Sequence, residues 1–240
     1  MKEIFVGKYQ PKNTADVKGQ SKAVKLLSDF LSQKKKKCAI LYGPTGSGKT
    51  SAVPALANEL DLELIEVNAS DFRNAEGMQA IVGMASKQMS LFSKGKLILV
   101  DEIDGLSGKE DRGGIGELVN IIEDSNFPII CTALDVFDSK FSPLRKKSLV
   151  IEFETPSVED IFDVLKEICS KENIAFDEND LKQLARQSGG DIRAAITDLQ
   201  TLASYSKKLS KEDIVVLSPR NKQESIPKAL VKVFKATDNK

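Results

Sequence analysis

Histidine is absent from this chain. Its absence removes His-ligated metal centres and histidine-based nucleophilic triads, leaving any catalysis to carboxylates, lysine, arginine and a bound metal. Net charge is absent as well: Lys plus Arg and Asp plus Glu number 35 each, so no global field draws the chain to nucleic acid and any DNA contact must be local. No apolar run reaches the length that spans a bilayer, and the first residues lack the apolar stretch of a signal peptide. The expectation is a cytoplasmic protein with no membrane partner. Three cysteines, Cys38, Cys131 and Cys169, have no metal-ligand spacing and fall inside apolar segments. They read as small core residues of a reducing compartment rather than as disulfides. Arginine is scarce among the basic residues, confined to Arg73, Arg112, Arg145, Arg186, Arg193 and Arg220. Internal repeats and low-complexity segments are missing too.

What is present is 240 residues with 41% hydrophobic content, enough for one large domain and one small one. The stretch Gly43-Pro44-Thr45-Gly46-Ser47-Gly48-Lys49-Thr50 has the spacing of a phosphate-binding loop. Its glycines free the backbone to aim successive N–H groups at the β- and γ-phosphates of a nucleoside triphosphate at a helix N-terminus. Lys49 reaches the terminal phosphates and the Thr50 hydroxyl holds Mg²⁺. The flanks fit: residues 38–42 read as a buried strand and 51–60 carry apolar residues at helical spacing.

Further strands are expected at 62–67, 96–100, 128–133 and 149–153, with helices at 78–92 and 115–125 between them. Buried strands alternating with helices predict a parallel α/β sheet covered on both faces, with ligands at the carboxyl ends of the strands. From Pro156 the pattern turns wholly helical, with helices at 158–172, 178–187, 191–204 and 211–216. The expected organisation is an α/β nucleotide-binding domain over 1–155, a small helical domain over 156–217, and at 218–240 a linker into a further domain.

Asp101 and Glu102 directly follow the strand at 96–100. Asp101 is the expected metal-shell residue and Glu102 the carboxylate that polarises an attacking water; an acidic strand end on a solvated surface is the plainer alternative. Asp104 reads as a turn or cap residue. Gly189-Gly190-Asp191-Ile192-Arg193 opens the last long helix, with Asp191 suited to the N-cap. Arg193 then lies in a first turn, where a cation opposes the helix dipole. A γ-phosphate would account for it, as would a surface acid.

With the loop, the acidic box and Gly190-Asp191-Ile192-Arg193 in this order, the chain resembles the AAA+ ATPases, whose nucleotide sits between an α/β P-loop domain and a helical lid. Lys8-Tyr9-Gln10-Pro11-Lys12, Asp16-Val17-Lys18-Gly19-Gln20 and Asn68-Ala69-Ser70-Asp71 are similar to motifs of the replication factor C clamp loaders. Asp101 to Gly105 followed by Glu110-Asp111-Arg112-Gly113-Gly114-Ile115 is similar to the large-subunit branch of that family, in its compact archaeal form. The resemblance runs from Lys8 to about Leu202. It implies an ATPase that uses ATP and Mg²⁺ to open a ring-shaped sliding clamp and place it on primer–template DNA, within a hetero-oligomer containing smaller subunits. It also implies that Tyr9, Pro11 and Val17 line the adenine pocket, that Arg193 is the lid sensor, and that the family's C-terminal collar is missing after Lys240.

Two departures from the family pattern matter. Leu134 stands where the family has an asparagine that positions the attacking water, and leucine cannot hydrogen-bond water; Thr132 and Asp135 are candidates to replace it. Lys147 stands where the small subunits carry a finger arginine, which implies that this chain receives a finger from a neighbour rather than donating one. An ATP-sensing scaffold that does not hydrolyse, or another oligomeric AAA+ ATPase, are the competing readings. For partners, Ile81, Met84, Met89, Leu91 and Phe92 are either core or a wedge for the clamp. Arg73, Lys109 and Arg112, beside helix starts after Ser70 and Gly113, are either solvated loops or a track for DNA phosphates.

Overall fold

Five apolar segments form one sheet: β1 (Cys38–Tyr42), β2 (Leu62–Asn68), β3 (Gly95–Asp101), β4 (Ile129–Ala133) and β5 (Ser148–Glu152). The strands lie in the order β2-β3-β4-β1-β5, and every pairing is parallel. The computed structural model describes residues 4–33, 35–71, 75–87, 95–107, 114–205 and 207–216. The expected linker at 218–240 lies outside these residues.

Because side chains alternate along a strand, each strand feeds two cores. Cys38, Ile40, Ile98, Val100, Ile129 and Cys131 point to one face, where they meet Leu118, Ile121 and Leu144. Ala39, Leu41, Leu97, Leu99, Ile130 and Ile151 point to the other, against Leu27, Phe30, Val53 and Leu56. Burial on both faces explains why the strands read as continuous apolar runs. Each large aliphatic so buried contributes about 1.5–3 kcal/mol.

Helix α1 (Phe5–Lys8) precedes the α/β part and packs on the helical part; the helices of the α/β part are α2 (Ser21–Gln33), α3 (Lys49–Glu59), α4 (Ala75–Met78), α5 (Gly114–Asp124) and α6 (Ser142–Lys147). Sequence reasoning did not foresee α1, α2 or α6. For α2 the signal was there: Ala23, Leu27, Phe30 and Leu31 are buried at helical spacing. The helix expected over 78–92 is corrected. An α-helical turn ends at Met78 and a π-helical turn, Gln79–Gly83, follows it. The Gln79 side chain folds back over Gly83, its oxygen 2.5 Å from where a Cβ would stand. Residues 88–92 lie outside the described part.

The helical part comprises α7 (Val158–Glu172), α8 (Glu178–Gln187), α9 (Ile192–Tyr205) and α10 (Lys211–Val216). Ser157 and Asp160 form a capping box at the start of α7, and Asn173 ends it in the left-handed conformation at φ 54°. Asp177 caps α8, and Asp191 Oδ1 accepts the Ala194 N–H at 2.8 Å to cap α9. Ile161, Leu165, Ile168, Leu181, Leu184 and Leu199 form its core. Phe5, Val6 and Tyr9 join this core from α1, which packs on α9. Among the described residues no helix is long and apolar enough to cross a membrane.

Candidate functional site

The loop after β1 turns the chain sharply into α3, and glycine is required for it. Gly43 has φ +144° and a Cβ there would lie 2.1 Å from the Phe153 carbonyl oxygen; at Gly46, with φ +65°, it would lie 2.0 Å from Asp191 Oδ1. The loop therefore nests against both the sheet and the start of α9, and its Gly46 carbonyl accepts the Ile192 N–H at 3.2 Å. Lys49 is buried and folds inward, donating to the carbonyls of Gly43 at 2.8 Å and Pro44 at 2.7 Å. Burial pushes its ammonium below the usual lysine range, while the Asp101 carboxylate acts in the opposite sense. A cation so placed gains more from an anion than from two carbonyls.

The carboxylates are organised by strand register. Val100 of β3 is level with Cys131 of β4, so Asp101 meets Thr132. The Thr132 hydroxyl donates to Asp101 Oδ1 and accepts the Glu102 N–H at 2.9 Å. Thr50 Oγ1 donates to the same Asp101 oxygen at 2.9 Å. Thr132 is only 1% exposed, so one buried hydroxyl holds both acids. Glu102 sits in the left-handed region at φ 57°, which turns its exposed carboxylate toward Asn68, whose Nδ2 lies 3.5 Å from Oε2. Asp104 does more than end a turn: its Oδ2 accepts the Leu134 N–H at 2.7 Å, tying the loop after β4 to the acidic box.

These groups border a cavity of about 660 Å³ between the sheet and the helical part. Residues 45–50, Asp101 and Glu102 line it, as do Tyr9, Pro11 and Val17, with Arg193 also on the wall. Gly43 and Pro44 lie behind Lys49 and hold it. Sequence reasoning missed Val164 and Ile196, which face the cavity from α7 and α9, and Glu66 from β2. Burial, followed by the Asp101 charge, raises the Glu66 carboxyl. Arg193 is exposed, and no described carboxylate forms an ion pair with it. Leu134 lines the cavity with 54% of its surface exposed. Asp135 is exposed and accepts the Phe137 N–H at 2.8 Å, while the Thr132 hydroxyl is committed to Asp101 and to the Glu102 N–H.

The donor set suits a hard divalent cation. A threonine hydroxyl and a carboxylate oxygen converge within 2.9 Å, and among the described residues no cluster of three or more acidic, cysteine or histidine side chains could hold a metal unaided.

Of the residues expected to meet partners, Ile81 and Met84 are 50% and 58% exposed, three residues apart on the π-helical turn and just after it. Met89, Leu91, Phe92, Arg73, Lys109 and Arg112 lie outside the described residues. Lys147 pairs with Glu123 at 2.7 Å on the surface.

The family model for AAA, the ATPase family associated with various cellular activities, matches residues 39–154, and that for the RCF1/5-like AAA+ ATPase lid domain matches residues 163–204. Curated relatives carry the name replication factor C large subunit. The protein from Nanoarchaeum equitans is 49% identical over 98% of this chain and 55% of its own length. That from Staphylothermus marinus is 42% identical over 97% and 56%, and that from Thermofilum pendens 45% over 91% and 54%. The chain spans about half the length of the curated relatives it matches. Among solved structures, the RuvB Holliday junction branch migration motor of Thermotoga maritima is similar at a TM-score of 0.66 and 20% identity, covering 87% of this chain and 71% of that one. At that identity the likeness speaks for the fold alone.

Proposed function

The chain belongs to the AAA+ ATPases, in the branch of the replication factor C large subunits, and from that premise we propose that it is the ATP-binding large subunit of a clamp loader. The observation that carries this reading is the convergence of Lys49, Thr50, Asp101, Glu102 and Arg193 on one cavity that Val17, Val164, Ile192 and Ile196 also line. In the proposed mechanism the backbone N–H groups of residues 45–50 and the Lys49 ammonium take the phosphates. Thr50 and Asp101 hold Mg²⁺, which when bound neutralises phosphate charge. Glu102 holds the attacking water and accepts its proton, and Arg193 on the lid meets the terminal phosphate, so that lid position follows nucleotide state. Tyr9, Pro11 and Val17 enclose the adenine.

The same reading assigns smaller homologous subunits, a sliding clamp and primer–template DNA as partners in a cytoplasmic hetero-oligomer. DNA is held through its phosphates without sequence preference, and a finger arginine comes from a neighbouring subunit. The exposure of Ile81 and Met84 supports their use against the clamp. Substituting both by serine is expected to abolish clamp retention with ATP binding unchanged; retained clamp binding would remove them from the interface.

Leu134 favours a second reading, in which the site senses ATP without turning it over, because its apolar side chain stands at the cavity where a water would need a partner. Single-turnover ATP cleavage by the assembled complex separates the two. A loss of about a hundredfold or more on Glu102→Gln in this subunit supports hydrolysis here; an unchanged rate leaves only the sensor.

A further inference from the structure

Tyr9 lines the cavity, yet its hydroxyl is anchored outside it. The phenol donates to Glu172 Oε1 at 2.7 Å, and Lys8 Nζ reaches the same oxygen at 2.6 Å. Glu172 is the last residue of α7, where a negative charge opposes the helix dipole, so these two donors offset an otherwise unfavourable position. Around the ring, Phe5 packs edge-on with centroids 5.7 Å apart, and the Lys171 ammonium lies 5.7 Å from the Tyr9 centroid. The Phe5 N–H adds a bond to Gln200 Oε1 on α9 at 2.9 Å. Residues 5–9 are thus fastened to the helical part.

A few residues later the chain is fastened to the α/β part. Asn58 Nδ2 donates to the Lys12 carbonyl at 3.1 Å, and the Thr14 N–H donates to Glu59 Oε1 at 2.8 Å, both acceptor and donor partners lying at the end of α3. Between the two anchorages lie only Gln10 and Pro11. Tyr9 on the cavity wall is therefore tied to the helical part, and the segment leading to Val17 to the sheet part.

We propose that Glu172 is a positioning residue for the base end of the cavity: by accepting the Tyr9 hydroxyl it fixes the ring that meets the adenine and makes that ring part of the lid. The proposal rests on the nucleotide reading above and deepens it, because base and phosphate then each link the lid to the sheet, through Tyr9 and through Arg193. Opening of the lid withdraws Tyr9 from Val17 as it withdraws Arg193 from the loop.

Calorimetric titration of the full chain with Mg²⁺–ATP and, separately, with Mg²⁺ and inorganic tripolyphosphate tests this. Glu172→Ala and Tyr9→Phe are each expected to weaken ATP about five- to tenfold, the scale of one ordinary hydrogen bond, with tripolyphosphate unchanged. Glu172→Gln still accepts the hydroxyl and is expected to restore ATP affinity to within about twofold of the parent. Equal weakening of both ligands would reduce Glu172 to a general structural contact and overturn the proposal, as would no weakening of either. Tyr9→Phe keeps the ring and decides the matter if Glu172→Ala fails to fold. Lys49→Ala serves as the separate control: if it leaves both ligands bound as before, the nucleotide reading itself fails.

Discussion

On the proposed phosphate side of the cavity, Lys49 is locked to the carbonyls of Gly43 and Pro44 at 2.8 and 2.7 Å, and Asp101 is joined to Thr50 at 2.9 Å while Thr132 takes the Glu102 N–H at 2.9 Å. On the proposed base side the lining comes from α1, the segment at 11–17, α7 and α9, is largely apolar apart from Asp16 and Arg193, and is held by packing and by a few bonds to distant carboxylates. The first end is prepared before any ligand arrives. The second is assembled from two bodies and exists only while they face each other, so affinity should reside in the first and coupling to lid position in the second.

The largest expected effect strikes the phosphate end. Lys49→Ala removes the only ammonium placed there by the loop and is expected to lower affinity for ATP and for tripolyphosphate alike by roughly a hundredfold or more. Loss confined to ATP in the same titrations would break the division drawn between the two ends.

Next in size is a change in stability. Thr132→Val leaves the Glu102 N–H without its acceptor and Asp101 without one donor, and is expected to reduce unfolding free energy by about 1–3 kcal/mol in denaturant melts. An unaltered midpoint would mean that the strand ends need no such lock.

The smallest effect belongs to the base end and appears in acid. Lys8, then Tyr9, hold the Glu172 carboxyl below its ordinary value of 4.5. With the folded value lowered, the stabilisation is complete above pH 4.5 and is lost as pH falls through the folded value. Denaturant melts at about pH 6 and about pH 3.5 should therefore show a larger acid loss in the parent than in Glu172→Gln. The difference is small because the pair is at the surface, with the Lys8 side chain 40% exposed. Identical acid losses would remove this contact from the account.

The same contrast explains what the residues alone disclosed. Chemistry at the phosphate end is local in sequence: a loop of eight residues and two acids after an apolar run name themselves, and parallel strands bring their ends to one edge. Strand positions were legible to within a residue because burial on both faces leaves unbroken apolar runs. The base end was not legible from spacing, because Val164 and Ile196 look like any other core position on an amphipathic helix; Tyr9, Pro11 and Val17 were reached only through family resemblance. The bond from Tyr9 to Glu172 spans 163 residues, a separation at which no local pattern exists. The π-helical turn at 79–83 was not legible because apolar spacing over so few residues indicates a helix without fixing its hydrogen-bond register.

Glu102 occupies backbone territory that side chains normally avoid. Glycine would rest there without steric penalty, relaxing about 1 kcal/mol of torsional strain, while discarding the carboxylate to which the proposed mechanism gives the attacking water. On that reading thermal robustness and turnover pull in opposite directions at this residue, and a screen that rewards heat resistance alone would discard the proposed base.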